Sequence, residues 1–102
     1  MNPTGLLISL CEMNYKLAWD YFDAGTRRDV ETIVAIHRDL EIVDRLMSDS
    51  VPPGKIDSAY DKLFTKYHIP DFPLRLYPPY ESTSDEKFCE FKNAVLAKYP
   101  DW

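Results

Sequence analysis

Residues 26–50 read TRRDVETIVAIHRDLEIVDRLMSDS and carry the clearest helical pattern in the chain. Apolar side chains recur there at the i, i+3, i+4, i+7 spacing that forms one face of an α-helix. Thr26, with Asp29 three residues later, resembles a capping box in which Asp replaces the usual Glu. Two prolines in the next segment, 50–54, forbid continuation. The sequence therefore predicts an amphipathic helix whose apolar face comprises Val30, Ile33, Val34, Ile36, Leu40, Val43 and Met47.

The preceding segment predicts a helix from about Thr4 to Asp23, capped by Thr4 and followed by Gly25. Apolar residues cover more than half of its circumference, which is too wide for an ordinary surface helix. Such a helix either is the central element of the domain or covers its own core and also meets a second chain. We therefore predict a homo-oligomer, with a dimer favoured, that associates through Leu10, Asn14, Leu17 and Tyr21.

Asn14 is unusual because it projects into the apolar arc of this predicted helix. A buried amide has to find hydrogen-bond partners, or it costs about 1–3 kcal/mol. Two interpretations stay open. Asn14 fixes the register of a symmetric helix pair, as buried Asn does in coiled coils, or it is a partly exposed residue beside a loop, which is the simpler interpretation.

Two shorter helices are predicted in the second half of the chain. The first covers KIDSAYDKLFTKYH (55–68), and the second begins at STSDEKF (82–88), where Thr83 and Glu86 form another capping box. No segment alternates with the period of a strand. We therefore predict one all-α domain spanning residues 1–102, with a long antiparallel helix hairpin and two shorter helices joined by a proline-rich extended arm at about 68–82.

The stretch HIPDFPLRLYPPYE (68–81), which forms most of this arm, is apolar, aromatic and stiff, whereas most loops are polar and small. Residues 69–75 match the spacing of a polyproline ligand, apolar-Pro-x-apolar-Pro-x-Arg. The same residues also suit an arm that closes the core between the last two helices, or a contact surface for one specific partner. The side chains predicted to bind a partner are Phe72, Leu74, Arg75, Tyr77, Tyr80 and Trp102.

The composition excludes some classes of function. The 17 acidic and 12 basic residues give a net charge of −5, which disfavours nonspecific binding to nucleic acid. Cys11 and Cys89 have no metal-type spacing and lie among apolar residues, as buried free thiols do, which predicts a reduced, cytoplasmic protein. The N-terminal apolar run lacks a basic flank and is too short to span a membrane. We therefore expect no membrane partner.

Two polar sets merit a chemical interpretation. His37, Glu41 and Asp44 stack along one side of the second helix, where an imidazole and carboxylates could bind a divalent metal or act as an acid–base pair. Few ligands are available on a facing helix, so a half-buried His37 tied to Glu41 is the simpler interpretation. Arg27 and Arg28 at the start of the second helix could hold an anion, with Lys55 as a further cation around it, although solvated arginines without a partner are the simpler interpretation.

No nucleophile arrangement is present, because the serines lie at turns or helix starts, and no cofactor is expected. The aromatic fraction of 14% favours either a dense small core or an interaction surface. We predict a non-catalytic protein-binding module that acts as a small inhibitor, immunity-type or adaptor protein. The alternative is a helical homo-oligomer that binds a small anion such as a nucleotide through Arg27, Arg28 and Lys55. A metal-dependent enzyme is the third possibility.

Overall fold

The computed structural model describes residues 9–55 and 57–102. A 3₁₀ helix at Ser9–Met13 precedes four α-helices: α1 at Tyr15–Arg27, α2 at Val30–Ser50, α3 at Asp57–His68 and α4 at Asp85–Lys98. The described ranges contain no strand, and the predicted all-α class is confirmed. None of the helices in these ranges is long and apolar enough to cross a membrane.

The first predicted helix is divided in two at Asn14. The backbone of Asn14 is extended (φ −153°, ψ 91°), and its side-chain oxygen accepts a hydrogen bond from the Leu17 N–H at 3.0 Å. Asn14 is therefore the N-cap of α1, a position that Asn favours because its short side chain satisfies a free amide of the first turn. The single helix predicted from Thr4 is wrong in this respect, and its predicted cap lies outside the described residues. With 13 residues, α1 is also no longer than α4, which has 14.

The turn between α1 and α2 differs from the predicted one in both of its caps. Arg28, not Gly25, adopts the left-handed conformation (φ 56°) at the end of α1. The Asp29 N–H donates to Ala24 O at 2.9 Å and the Arg28 N–H to Gly25 O at 3.2 Å, which together form a Schellman motif. Asp29 then caps α2 by accepting the Thr32 N–H at 3.2 Å. This short connection turns α2 back along α1 as an antiparallel hairpin.

The core lies mainly between α2, α3 and α4. The main buried cluster comprises Met13, Val43, Met47, Val51, Leu63, Phe64, Tyr67, Leu74, Phe88, Phe91 and Val95. A smaller cluster forms where Ile36 and Leu40 of α2 meet the hairpin partner α1. Val30 and Val34, predicted to belong to the buried face of α2, are instead exposed. The apolar face of α2 is therefore wider than the surface that its neighbours cover at that end.

The start of α4 also differs from the prediction. Its N-cap is Ser84, whose Oγ accepts the Lys87 N–H at 3.2 Å, and not Thr83. Thr83 is 4% exposed, and its Oγ1 has no hydrogen-bond partner among the described residues. At the other end, the Tyr99 hydroxyl donates to Asp39 Oδ1 at 3.0 Å and links α4 to α2.

Candidate functional site

The inner side of the arm (residues 69–83, between α3 and α4) packs against the domain. Leu74 is buried in the main cluster, and Phe72 is half-buried. A turn at the start of the arm is closed by a 2.8 Å hydrogen bond from the Phe72 N–H to Ile69 O. Leu74, predicted to contact a partner, therefore contributes to the protein's own core. Its position agrees with the interpretation in which the arm closes the core between the last two helices.

Three lysines fasten the main chain of the arm. Lys55 Nζ donates to Ser82 O at 3.1 Å, Lys62 Nζ donates to Arg75 O, and Lys66 Nζ donates to the carbonyls of Pro70 and Phe72. An ammonium group has three donors and no acceptor, so it satisfies carbonyls that have no partner in regular secondary structure. These hydrogen bonds are strengthened by the charge of the donor.

Two of these lysines are almost covered by the arm. The side chains of Lys55 and Lys66 are only 10% and 14% exposed, and each also lies near a carboxylate. Glu81 is 3.6 Å from Lys55 Nζ, and Asp85 is 3.7 Å from Lys66 Nζ. The Leu76 N–H additionally donates to Ser82 Oγ at 2.7 Å. The arm is thus held along its length, including both sides of its outermost loop.

The outer side of the arm presents aromatic and cationic groups. Tyr77 is 89% exposed and Tyr80 is 54% exposed. A hydrogen bond of 3.1 Å from the Tyr80 N–H to Tyr77 O closes a turn around a cis Pro78–Pro79 bond. Arg75 is exposed and forms no ion pair with any residue in the described ranges. The outer loop therefore combines large exposed side chains with a backbone that is held by hydrogen bonds.

Two cavities flank residues 73–76 of the arm. The larger, about 560 Å³, lies between the arm and the start of α4 and is lined by Lys66, Asp71, Phe72, Pro73, Leu74, Arg75 and Ser82–Asp85. The other, about 460 Å³, lies on the α3 side and is lined by Lys62, Pro73, Arg75, Leu76 and Tyr77. Pro73 and Arg75 border both, so the arm forms the ridge between the two cavities.

Trp102, the last of the predicted partner-binding residues, has a different environment. It is half-buried, lies against the ring of Tyr99 with centroids 5.7 Å apart, and packs on both core clusters. Trp102 therefore helps to cover the protein's own core. The sequence signal that grouped it with the arm was residue type alone.

The residues predicted to mediate self-association mostly cover the core of their own chain. Leu10, Leu17 and Tyr21 are half-buried and pack on Ile36 and Leu40, while Asn14 caps α1. Self-association itself stays a prediction. The outward side of α1 carries two exposed aromatics that the prediction did not include, Tyr15 and Trp19.

The three residues predicted to bind an anion do not converge. Arg27 is the last residue of α1, where a positive charge suits the helix dipole, and pairs with Asp23 at 3.0 Å. Arg28 is the C-cap that follows α1, whereas Lys55 lies beyond the opposite end of α2. A helix of 21 residues is about 30 Å long at 1.5 Å per residue. The structure therefore separates Lys55 from the two arginines.

The predicted metal-binding set lies in solvent. His37 Nε2 is 3.2 Å from Glu41 Oε1, but both side chains are mostly exposed, and so is Asp44. The prediction of a half-buried His37 is wrong, although its pairing with Glu41 is present. In residues 9–55 and 57–102, no three His, Cys, Asp or Glu side chains are grouped so that they could hold a metal ion.

The remaining cysteine prediction is partly overturned. Cys89 is a free thiol on α4 and is exposed, whereas a buried position was expected. The side chain of Cys11 lies outside what the structure describes. Cys89 follows Phe88 on the helix, so apolar neighbours in sequence did not imply a buried thiol: adjacent helical positions point about 100° apart.

Three groups with shifted pKa values support the fold. Hydrogen bonds from the Thr32 hydroxyl and amide lower the pKa of Asp29 below its ordinary value of 3.8. Burial raises the pKa of the Tyr67 phenol above 10.0. Burial, and then the hydrogen bond and charge of Asp39, raise the pKa of Tyr99 in the same direction. These shifts belong to a helix cap, the core and a link between helices.

Comparison with models of known protein families, with curated proteins and with solved structures finds no match to this chain.

Proposed function

We propose that the protein is a non-catalytic protein-binding module, of the inhibitor, immunity-type or adaptor class, which engages a protein partner through the outer side of the arm. The observation that carries this proposal is the exposure of Tyr77 and Tyr80 on a loop with a fastened main chain. Tyrosine and arginine are enriched among the residues that dominate binding energy at protein interfaces. A monomer gains little by exposing two tyrosines on a stiff loop.

The fastened main chain would favour binding through preorganisation. A loop that is already ordered loses little conformational entropy when it docks. Here the lysine hydrogen bonds and the buried Leu74 hold the loop before any partner arrives. The tyrosines then need to restrict only their own side-chain rotations.

The position of Leu74 favours a specific partner over a domain that binds polyproline ligands. Such domains receive an exposed left-handed helix with three residues per turn. In this arm, a hydrogen-bonded turn links Ile69 to Phe72, and Leu74 points into the core. Residues 69–75 would have to leave the domain to be read as a polyproline ligand.

The test is a comparison of two matched double variants. Wild type, Tyr77→Ser/Tyr80→Ser and Tyr15→Ser/Trp19→Ser would be immobilised and exposed to lysate of the source cells, and the captured proteins quantified by mass spectrometry. Both variants remove two exposed aromatics, so circular dichroism should confirm that each still folds. We expect a partner that is captured by wild type and by the α1 variant and is lost from the arm variant. Capture by the arm variant at the wild-type level would contradict the proposal.

The proposal includes self-association through α1 and a cytoplasmic location. Trp19 is 71% exposed and stands edge-on to Phe22, which leaves an aromatic surface on α1 that a second copy could cover. The free, exposed thiol of Cys89 suits a reducing compartment. Sedimentation velocity is expected to show a wild-type dimer and a Trp19→Glu monomer. A wild-type monomer at high micromolar concentration would contradict the self-association.

A further inference from the structure

The cavity on the α3 side of the arm has a cationic and aromatic lining. Lys62 and Arg75 provide two positive charges, Tyr77 provides an exposed ring, and Pro73 and Leu76 provide apolar surface. Among the described residues no acidic side chain lines this cavity, whereas Asp71 and Asp85 both line the cavity on the other side of the arm. The two sides of the arm therefore differ in charge.

The cations of this cavity also differ from the other cations that hold the arm. Lys55 and Lys66 each have a carboxylate within 4 Å, but Lys62 and Arg75 have none among the described residues. Within residues 9–55 and 57–102, Lys62 Nζ donates to Arg75 O alone, and an ammonium group has two further donors. The Arg75 guanidinium has five donors in a planar fork that matches a carboxylate.

The main chain beside these cations has a free donor. Arg75 lies in a segment without regular secondary structure, and its backbone N–H donates to no acceptor in the part of the chain that the structure describes. An extended peptide can use such a donor for main-chain pairing while its alternate side chains enter neighbouring cavities.

From these observations we propose that the cavity lined by Lys62, Pro73, Arg75, Leu76 and Tyr77 binds an acidic, extended peptide segment of the partner protein. A Glu or Asp of that segment pairs with Arg75 and Lys62, and an apolar or aromatic neighbour packs on Tyr77 and Leu76. This proposal rests on the proposed function and names the chemistry of its partner. The net charge of −5 repels acidic peptides in general, so attraction at this cavity is local.

Titration of ¹⁵N-labelled protein with short peptides tests the proposal. The probe is acetyl-Glu-Leu-Glu-Tyr-Glu-amide, and its counterparts carry Gln or Lys in place of every Glu. We expect the acidic probe to shift the amide signals of Lys62, Arg75 and Tyr77 in a saturable manner, and the Gln and Lys probes to leave them in place. Raising the salt concentration should weaken binding because the charged groups lie at the surface.

Matched variants separate a specific site from general electrostatics. Arg75→Gln should weaken binding of the acidic probe by about three- to tenfold, as expected for a partly exposed charged hydrogen bond. Arg38→Gln removes the same charge from an exposed position on α2 and should leave the affinity unchanged. An equal loss in both variants would overturn the proposal, as would binding of the Gln probe with the affinity of the acidic one.

Two further outcomes also decide against the site. An absence of shifts at millimolar acidic probe overturns the acidic segment, and equal shifts produced by inorganic phosphate or ATP reassign the cavity to small anions. Neither result decides the capture experiment, because that experiment tests whether the arm binds a partner and not which chemical group the cavity binds. Loss of a natural partner from Tyr77→Ser/Tyr80→Ser would still support the arm as a binding surface, while its chemistry would be different.

Discussion

Asn14 is the single residue that most changes the first half of the chain. The apolar pattern continues on both sides of it, yet its side chain caps α1 and its backbone leaves helical geometry. The side-chain oxygen of this amide, one candidate for fixing the register of a helix pair, accepts a hydrogen bond within its own chain. At this position, local hydrogen bonding prevails over the continuity of an apolar face.

Replacement of Asn14 tests its role as a cap. Asn14→Ala should lower the free energy of unfolding by about 1 kcal/mol, since the Leu17 N–H loses its acceptor. Asn14→Asp retains an acceptor and should stay close to wild type. Urea denaturation followed by circular dichroism measures both. Unchanged stability in Asn14→Ala, accompanied by loss of a dimer, would return Asn14 to the role of fixing register.

Thr83 is a buried residue with an unsatisfied hydroxyl. Because Oγ1 has no partner among the described residues, Thr83→Val should leave stability unchanged or raise it by up to about 1 kcal/mol. Ser82→Ala is the control at the neighbouring position, where Oγ accepts the Leu76 N–H, and it should lower stability by about 1 kcal/mol. Chemical denaturation compares the two. A large loss in Thr83→Val would mean that the hydroxyl has a partner.

At the scale of elements, the arm has an inner part that packs on the core and an outer loop whose side chains are exposed. Leu74→Ala should lower the free energy of unfolding by about 2–5 kcal/mol, because it removes a buried side chain from the main cluster. Tyr77→Ala removes a larger but exposed side chain and should change stability by no more than about 0.5 kcal/mol. Thermal and urea denaturation measure both variants. Similar losses in the two would show that the outer loop is also structural.

The elements differ in how far their sequences predict them. The sequence predicts α2 well, since its periodic apolar face and the following prolines are local signals. Its cap was predicted three residues early, because Thr26 and Asp29 are both favourable caps and the left-handed Arg28 selects the second. Glycine signals a left-handed backbone conformation in a sequence, whereas nothing in the sequence indicates that an arginine adopts it.

The candidate site was only partly predictable for a similar reason. Residue type and proline content identified the arm and four residues that are not fully buried in it: Phe72, Arg75, Tyr77 and Tyr80. The bonds from Lys62 to Arg75 O and from Lys55 to Ser82 O join residues 13 and 27 positions apart, so no local pattern predicts these two. The inward direction of Leu74 depends equally on tertiary packing.

At the scale of the whole molecule, stability depends on pH in the alkaline range. The folded state binds the phenol protons of Tyr67 and Tyr99 more tightly than an unfolded chain with an ordinary pKa of 10.0. Their contribution is therefore complete below pH 10 and is lost as the pH rises through the folded-state pKa values. Urea denaturation between pH 8 and pH 11 should show this decline. The Tyr67 hydroxyl has no hydrogen-bond partner among the described residues, so Tyr67→Phe should reduce the slope of this decline without removing a hydrogen bond.

At acidic pH, the stability of the protein depends on the protonation of Asp29. Its pKa is lowered in the folded state, so its contribution is present above pH 3.8 and is lost as the pH falls through the folded-state pKa. Asp29→Asn keeps a capping oxygen but cannot be protonated in this range. The variant should therefore lose less stability than wild type between pH 4 and pH 2. An identical acid limb would assign that loss to other carboxyl groups.

The covered lysines have a consequence for chemical reactivity. Amine-selective acylating reagents attack accessible, deprotonated amines, and Lys16 on α1 has a side chain that is 86% exposed. Lys55 and Lys66 are shielded by the arm that they hold and should react slowly in the native protein. The ratio of the labelling rate at Lys66 to that at Lys16 therefore measures how readily the arm detaches from the domain. The measurement uses native lysines and needs no engineered probe.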